Sequence, residues 1–431
     1  MKKFLTKNFT DILFGLLLVM VFLIPLEKLG AIILGGINIR ASQIMAILVL
    51  GGYWWQCLSN RKIRIAFPYP LSFYALYLIA GLLSLILAKN IDRGLTIFVF
   101  LAFMIAIPFV LINIIDAKEK VRKLVIIILA SAMLASLFGL FQFFGDMFGL
   151  SQSVTGLSFR YIQSVMGFPR IQSTFIEPLY FANYLFLPLF LSVFLFLASQ
   201  KRRAKGALFA LVTLFFVVSV LTFSKGAWLV LILMAPIVVA FNFRHIFNKK
   251  FLLYGTTFLV TLMLIGGLAV FFASSSGSFD RIYRKAYNVM TDGSFTERQE
   301  ASSVALEAYD RSPFFGIGLG NFGPYFSGYP TLPPETGWPI ANNQYLEVLA
   351  ETGLLGFFLF LVFLASIFYR SVRAYLATKD AFFRTLLISS TCALLAVLLQ
   401  YFTFSTLYIM HVWTLIGFVL SIQELSFKKE K

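Results

Sequence analysis

Residues 279–326 read FDRIYRKAYNVMTDGSFTERQEASSVALEAYDRSPFFGIGLGNFGPYF, and residues 341–356 read ANNQYLEVLAETGLLG. They belong to the one long polar segment, 274–356, of a chain that is otherwise strongly apolar. Hydrophobic residues make up 59% of the 431 residues, and the mean hydropathy is +0.86. A soluble domain is nearer half apolar, so the composition predicts a polytopic membrane protein whose helices hold this segment at one surface.

Apolar runs long enough to cross a bilayer recur along the chain and predict an all-α polytopic membrane protein with about twelve transmembrane helices. Residues 1–273 would form helices 1–9 with an outer loop at 145–176. Residues 274–342 would form a large extracytoplasmic loop between helices 9 and 10, and residues 343–431 would form helices 10–12 and a cytoplasmic tail. The runs lie near residues 11–34, 41–58, 70–88, 94–115, 122–144, 177–198, 206–222, 226–241, 251–273, 353–369, 383–402 and 405–421.

Membrane topology accounts for the net charge of +17. With the N-terminus inside, every inner connection is basic, and together these connections hold about two thirds of the 36 basic residues. Lys201-Arg202-Arg203 is one such cluster. The pattern predicts an even number of spans, both termini in the cytoplasm, and no nucleic-acid partner.

Residues 296–310 of the long polar segment have the pattern of a helix. Thr296-x-x-Gln299 fits a capping box at its start, and Pro313 follows its end. At helical spacing Arg298 would share one face with three alanines, Ala301, Ala305 and Ala308. Arg298 is therefore expected to point toward the surface on which this helix packs.

Other cationic residues lie where the chain meets the predicted outer surface. Lys225, in Ser224-Lys225-Gly226, separates two short spans, so it either anchors the chain at the interface or contacts a phosphate of the outer leaflet. Arg170 lies near the point where the loop 145–176 re-enters the membrane. Glu177 begins the next apolar span, where a carboxylate is costly unless paired, so Arg170 or Lys225 is its expected partner. Arg281, in the long segment, is a further candidate cation.

Asn343, Glu347 and Glu351 are spaced i, i+4 and i+8, so they share one face of a helix. The first interpretation is a solvated helix end, whose acidic residues suit the helix dipole. The second is the polar wall of a cavity, in which a carboxylate acts as a general base.

The run Gly316-x-Gly318-x-Gly320 predicts a tight turn, with an approach of the backbone to a phosphate as the alternative. The chain has two cysteines, two histidines and no H-E-x-x-H or D-x-D motif. The sequence therefore predicts no metal site and no cofactor.

Four segments together resemble the O-antigen ligase and Wzy-type O-antigen polymerase superfamily. They are FPRIQSTFIEPLYFANYL at 168–185, TFSKGAW at 222–228, TERQEASSVALEAYDRSPFFGIGLGNF at 296–322 and NNQYLEVLAETGLLG at 342–356. Each motif is weak alone, but their order and spacing are specific. Lys225 stands where members often carry arginine.

The resemblance implies a GT-C-like enzyme that transfers glycan from a polyprenyl pyrophosphate-linked oligosaccharide to an acceptor glycan. The reaction would take place in the lipid bilayer of the bacterial cytoplasmic (inner) membrane, on its outer face. The most direct form is a polymerase of O-antigen-like, capsular or exopolysaccharide repeat units, with flippase and chain-length regulator proteins as partners. The expected ligands of the pyrophosphate are the four cations already singled out, Arg170, Lys225, Arg298 and Arg281.

One departure from the family pattern leaves the general base open. Ligases of the family usually carry a histidine before the asparagine, where this chain has Asn342, so the resemblance favours a polymerase over a lipid A–core ligase. Glu347, one turn beyond Asn342 and Asn343, is the expected base and Glu177 the alternative, and a loose transition state that needs no base is the third possibility. The other functions considered are a ligase that attaches finished glycan to lipid or protein and, less readily, a transporter.

Overall fold

The computed structural model describes residues 2–28, 32–34, 37–60, 65–162, 165, 167–246, 257, 293–328, 337–405 and 407–428. These residues are helical apart from turns and one short antiparallel hairpin, formed by β1 (Ile32–Leu34) and β2 (Ile37–Ile39). The all-α fold class is confirmed, with this hairpin as a small addition.

The helices follow one another with short connections. In chain order they are α1 (Lys2–Leu23), α2 (Ala41–Ser59), α3 (Tyr69–Ser84), α4 (Ile91–Ile114), α5 (Lys118–Met147), α6 (Gln152–Thr155), α7 (Pro178–Ala198), α8 (Arg202–Leu221), α9 (Lys225–Ile246), α10 (Gly293–Arg311), α11 (Phe322–Ser327), α12 (Gln344–Ala377), α13 (Ala381–Gln400) and α14 (Met410–Phe427).

Within the described residues, eight helices are long and apolar enough to cross a membrane, namely α3, α4, α5, α7, α8, α12, α13 and α14. Two shorter apolar helices, Phe9–Leu23 and Lys225–Phe241, coincide with two further predicted spans. The predicted run 41–58 is the 19-residue helix α2. The predicted span 251–273 lies outside the described residues, so the count of twelve and the position of the large loop stay predictions, as does the division into domains.

The first predicted span is wrong at its C-terminal end. The sequence predicts it at 11–34, but α1 ends at Leu23 and Ile32–Leu34 form a strand of the hairpin. Pro25 accounts for the end of the helix, because its ring removes an N–H and clashes with the preceding turn. Glu27 then turns inward and accepts a hydrogen bond from Arg40 at 2.6 Å, and such a buried acid is stable only when paired.

The bundle is held by close pairs of long helices, of which α3 with α12, α7 with α13, and α4 with α14 are the most extensive. Rings fill the space between them: Tyr74 lies 4.6 Å from Trp413 and 5.0 Å from Phe363, centroid to centroid. Gly417 lets α14 approach α4, since a Cβ there would be 2.8 Å from the Cα of Pro108. The tightly packed helices form a rigid support for the loops at their ends.

We call one end of the bundle the loop face. It carries the loop 148–177, the turn 222–224, helix α10 and residues 337–343. The candidate residues of the sequence analysis that the structure describes all lie at this end.

Candidate functional site

On helix α10, Arg298 lies on the face that packs against the protein, as the sequence predicts. Ala301, Ala305 and Ala308 are buried, and Arg298 on the same face is half-buried, whereas Glu300 and Glu307 are exposed. The start of the helix differs from the prediction. It begins at Gly293, so Thr296 lies inside the helix and is not its cap.

The turn between α8 and α9 confirms the predicted break in the apolar run 206–241. Helix α8 ends at Leu221 and α9 begins at Lys225, whose side chain is exposed. Gly226 is needed for a close approach, because a Cβ there would lie 2.3 Å from the hydroxyl of Thr403. The turn is thereby fixed against the end of α13, with Lys225 beside Thr403.

Arg170 is fixed by contacts to two other parts of the loop face. Its backbone N–H donates to the carbonyl of Tyr161 at 2.8 Å, and its Nε donates to the carbonyl of Thr222 at 3.3 Å. Its guanidinium lies 5.7 Å from the centroid of the Tyr161 ring, within the range of a cation–π contact. The remaining guanidinium nitrogens are left for other partners.

These elements surround a cavity of about 460 Å³, which we call the cationic cavity. Among the described residues, three basic side chains line it, from three separate parts of the chain, against one carboxylate, Glu177 at the N-terminus of α7. The described residues of the lining are Tyr161, Val165, Arg170, Glu177, Pro178, Leu179, Phe223, Ser224, Lys225, Gly226, Arg298, Asn342 and Thr403. Together these residues carry a net positive charge.

The electrostatics of the cationic cavity favour an anion. Burial lowers the pKa of Arg170, and repulsion from Arg298 adds to this, although Tyr161 and Glu177 oppose it. Burial also lowers the pKa of Arg298. Two guanidinium groups that are partly desolvated and repel each other gain most from a shared negative partner.

Glu177 has the properties of a proton acceptor. Burial raises the pKa of its carboxyl above the usual value, and attraction to Arg170 and Arg160 only partly offsets the rise. Arg170 thus attracts this carboxylate, but the ion pairs found among the described residues include none between Glu177 and Arg170. A carboxylate of raised pKa is a better proton acceptor than an exposed one.

Glu347 and Glu351 occupy a different environment, and neither is among the residues that line the cationic cavity. Each is only 5% exposed, and the backbone N–H groups of Ala341 and Phe322 donate to the two carboxylates, each at 3.0 Å. Asn343 caps α12, because its side-chain oxygen accepts from the backbone N–H groups of Tyr345 and Leu346, the second and third residues of that helix. The side chains of Asn343, Glu347 and Glu351 therefore hold the backbone of the loop face through hydrogen bonds.

The glycine loop, residues 316–322, is a turn, as the sequence favours. Its amides are used within the protein: Ile317 donates to the carbonyl of Ala350 at 2.9 Å and Gly318 to that of Glu351 at 3.0 Å. Those carbonyls are free to accept because α12 is kinked at Gly353, whose φ is 62°. The loop thus pairs with the opened backbone of α12.

Five predicted residues therefore meet in one cavity, and the others do not. Arg170, Lys225, Arg298, Glu177 and Asn342 line it, whereas Asn343 and Glu347 lie beside it and Arg281 lies outside the described residues. The sequence analysis missed Tyr161 and Thr403, which lie in the lining without any motif to signal them. Among the described residues, no group of three histidines, cysteines or acids could hold a metal ion.

Fold and cavity together define a polytopic, helical membrane protein with a net positive cavity at its loop face. Residues 209–361 match a family model whose description is O-Antigen ligase. Over these residues the match confirms the resemblance found in the sequence. None of the curated proteins compared with the chain matches it.

Proposed function

We propose that the protein transfers glycan from a polyprenyl pyrophosphate-linked donor to an acceptor sugar, and that it polymerises lipid-linked repeat units. The observation that carries the proposal is the meeting of Arg170, Lys225 and Arg298 in one cavity, with one carboxylate among the described residues of its lining. A pyrophosphate group offers several anionic oxygens to such a cluster, and arginine in particular binds phosphate oxygens with paired hydrogen bonds.

In the proposed reaction, a hydroxyl oxygen of the acceptor forms a bond to the sugar carbon that carries the pyrophosphate. The bond from that carbon to the pyrophosphate oxygen breaks, and polyprenyl pyrophosphate leaves with the electron pair. The hydroxyl proton passes to Glu177, the carboxylate in the lining of the cavity. Glu347 stays an alternative that its position outside the lining disfavours.

The cations stabilise the negative charge that grows on the leaving group. Each charge-assisted hydrogen bond contributes about 1.5–3 kcal/mol, and about 1.4 kcal/mol changes a rate tenfold. Two or three such contacts that strengthen in the transition state would accelerate the step by several orders of magnitude.

The test is a strain that lacks the gene, with analysis of its lipid-linked and surface glycans. A polymerase predicts single repeat units where chains are normally found. The intact chain should restore the chains, and an Arg298→Ala variant should restore them less well. Normal chains in the deletion strain contradict the proposal.

A second candidate is a ligase that attaches finished glycan to another lipid or to a protein, and the description of the matching family model favours it. The same strain distinguishes the two functions, because loss of a ligase leaves full-length lipid-linked chains that are not attached. The cavity chemistry is the same in both cases, since both reactions release a polyprenyl pyrophosphate.

We place the loop face outside the bacterial cytoplasmic membrane, with both termini inside, because the basic connections then fall on the inner side. Ser303 and Gln200 are exposed residues at opposite ends of the bundle. In intact cells, Ser303→Cys should react with a membrane-impermeant thiol reagent and Gln200→Cys should be protected. The opposite labelling pattern would invert the orientation.

A further inference from the structure

The loop that carries Arg170 and Glu177 has an unusual backbone at its centre. Ser173 has a φ of 53°, in the left-handed region that a residue with a side chain seldom adopts. Ser173 is also only 1% exposed. Such a conformation persists only where the surroundings impose it, and it is common at functional sites.

The side-chain amide of Gln142, on α5, supplies that constraint. Its Oε1 accepts from the backbone N–H of Ser173 at 2.7 Å, and its Nε2 donates to the carbonyl of the same residue at 3.0 Å. Nε2 also donates to the carbonyl of Thr155 at 3.1 Å. One amide thereby satisfies both backbone groups of the strained residue and joins them to the earlier part of the loop.

A second set of contacts holds the next residues in place. Lys28 donates its backbone N–H to the carbonyl of Thr174 at 3.0 Å, and the hydroxyl of Thr174 donates to the carbonyl of Pro25 at 2.5 Å. The hydroxyl of Ser173 donates to the carbonyl of Ala135, also on α5. The loop is thus fixed at the strained residue and at the residue that follows it.

The position of Ser173 connects this clamp to the cationic cavity. Ser173 lies three residues after Arg170 and four before Glu177, and both of these side chains line the cavity. Relaxation of the backbone at Ser173 would rotate the two flanking segments relative to each other. A shift of about 1 Å in a reacting group lowers a rate by roughly a hundredfold.

We propose that Gln142 is a positioning residue, whose amide holds Ser173 in its left-handed conformation and so sets the separation of Arg170 from Glu177. The inference rests on the proposed function, because it assigns these two side chains to the donor pyrophosphate and the acceptor proton. Gln142 itself is fully buried and is not among the residues that line the cavity.

The test compares Gln142→Leu with Gln423→Leu, both in nanodiscs. Gln423 is an equally buried glutamine whose Nε2 donates to the carbonyl of Ile367 and the hydroxyl of Ser371, away from the cavity. We expect Gln142→Leu to lower kcat about 10- to 100-fold, with faster deuterium exchange confined to the peptide that spans 168–177. Gln423→Leu, at a matched amount of folded protein, should retain kcat and the exchange of that peptide.

A rescue separates positioning from a general loss of stability. Ser173→Gly removes the strain at that position, because glycine adopts a positive φ without penalty. Added to Gln142→Leu, it should recover part of the lost kcat. Equal losses in Gln142→Leu and Gln423→Leu, or no rescue, would overturn the inference.

The Arg298→Ala variant distinguishes a failure of the positioning inference from a failure of the proposed function. If Arg298→Ala lowers turnover about 10- to 150-fold while Gln142→Leu behaves like Gln423→Leu, the function stands and the positioning role is wrong. If Arg298→Ala is fully active, the assignment of the cavity is wrong, whatever the exchange measurements show.

Discussion

The cationic cavity and the glycine loop are two polar regions of the loop face, and their charged groups have different partners. In the cavity, Arg170, Lys225 and Arg298 converge on one space, and the part of its lining that the structure describes holds one carboxylate. At the glycine loop, the carboxylates of Glu347 and Glu351 accept hydrogen bonds from backbone N–H groups. The first arrangement gathers cationic side chains around a space that suits an anion, whereas the second uses charge to hold the chain.

The comparison gives a criterion for assigning function to a buried carboxylate. Glu351 is held between the glycine loop and the kink in α12, where its backbone carbonyl also accepts from Gly318. Glu177 instead borders a cavity, and the attraction of Arg170 only partly offsets the effect of burial on its pKa. A carboxylate already used by the backbone is poorly placed to take a proton from a substrate.

Loss of the cavity carboxylate should have the largest effect. Glu177→Gln keeps the size of the side chain but removes the proton acceptor, so we expect turnover to fall about 10²- to 10⁴-fold. The measurement is the rate of chain growth by purified variants in nanodiscs with lipid-linked repeat units. Turnover within threefold of the intact chain would remove Glu177 from the reaction and leave charge stabilisation by the cations as the main effect.

Loss of one cavity cation should come next. Arg298→Ala should lower turnover about 10- to 150-fold, the equivalent of one charge-assisted hydrogen bond. Arg311→Ala is the matched control, since Arg311 lies on the same helix, is exposed and pairs with Glu307 at 2.8 Å. Its loss should leave turnover unchanged, because an exposed pair of this kind contributes little. Similar losses in both variants would mean that α10, rather than the cavity charge, is affected.

A substitution at the kink in α12, which pairs with the glycine loop, should lower the stability of the protein. At Gly353 a Cβ would lie 2.4 Å from the backbone carbonyl of Phe314, and the φ of 62° adds strain. Gly353→Ala should therefore lower the free energy of unfolding by about 1–3 kcal/mol or more. Gly206→Ala is the control, since a Cβ there meets nothing within 4 Å. Thermal aggregation of the detergent-solubilised variants measures the difference, and equal thermal stability would contradict the tight packing.

The pH profile of turnover should report the state of Glu177. A base must be ionised, and burial raises the pKa of this carboxyl above its usual 4.5. Activity should therefore decline as the pH falls through that raised value, by up to about tenfold per unit. The acid limb should be absent from the residual activity of Glu177→Gln. An acid limb that survives the substitution would assign the titration to another group.

The helices could be predicted from the sequence because apolar runs of sufficient length have few alternatives in a chain of this composition. The end of the first run was not predicted, because Ile32–Leu34 are as apolar as the residues of a membrane-spanning helix. The structure shows that these residues form a strand of the hairpin. Apolar content alone does not distinguish a short strand from a helix. The break at Pro25 was the available signal.

The sequence predicted individual residues of the cavity, but not that they meet in one place. Arg170, Lys225 and Arg298 stood out because charges are costly at the edge of apolar spans. Their meeting depends on contacts between distant segments, such as that of Arg170 with Thr222, which no local pattern contains. For Glu347, helical spacing identified the face that the residue shares with Glu351, but it did not show that residues 320–322 and 341 cover that face.

The smallest effect is expected from Glu347→Gln, and it tests the comparison most directly. The amide oxygen of glutamine can still accept from the N–H of Ala341, so the contact that holds the backbone is kept. The neutral side chain also removes repulsion from Glu351, one turn along α12 and equally buried. Turnover should change less than about threefold, because no buried donor loses its acceptor. A hundredfold fall in turnover with unchanged donor binding would instead place Glu347 at the acceptor, as the sequence first indicated, and would mean that a carboxylate bonded to the backbone can still serve the reaction.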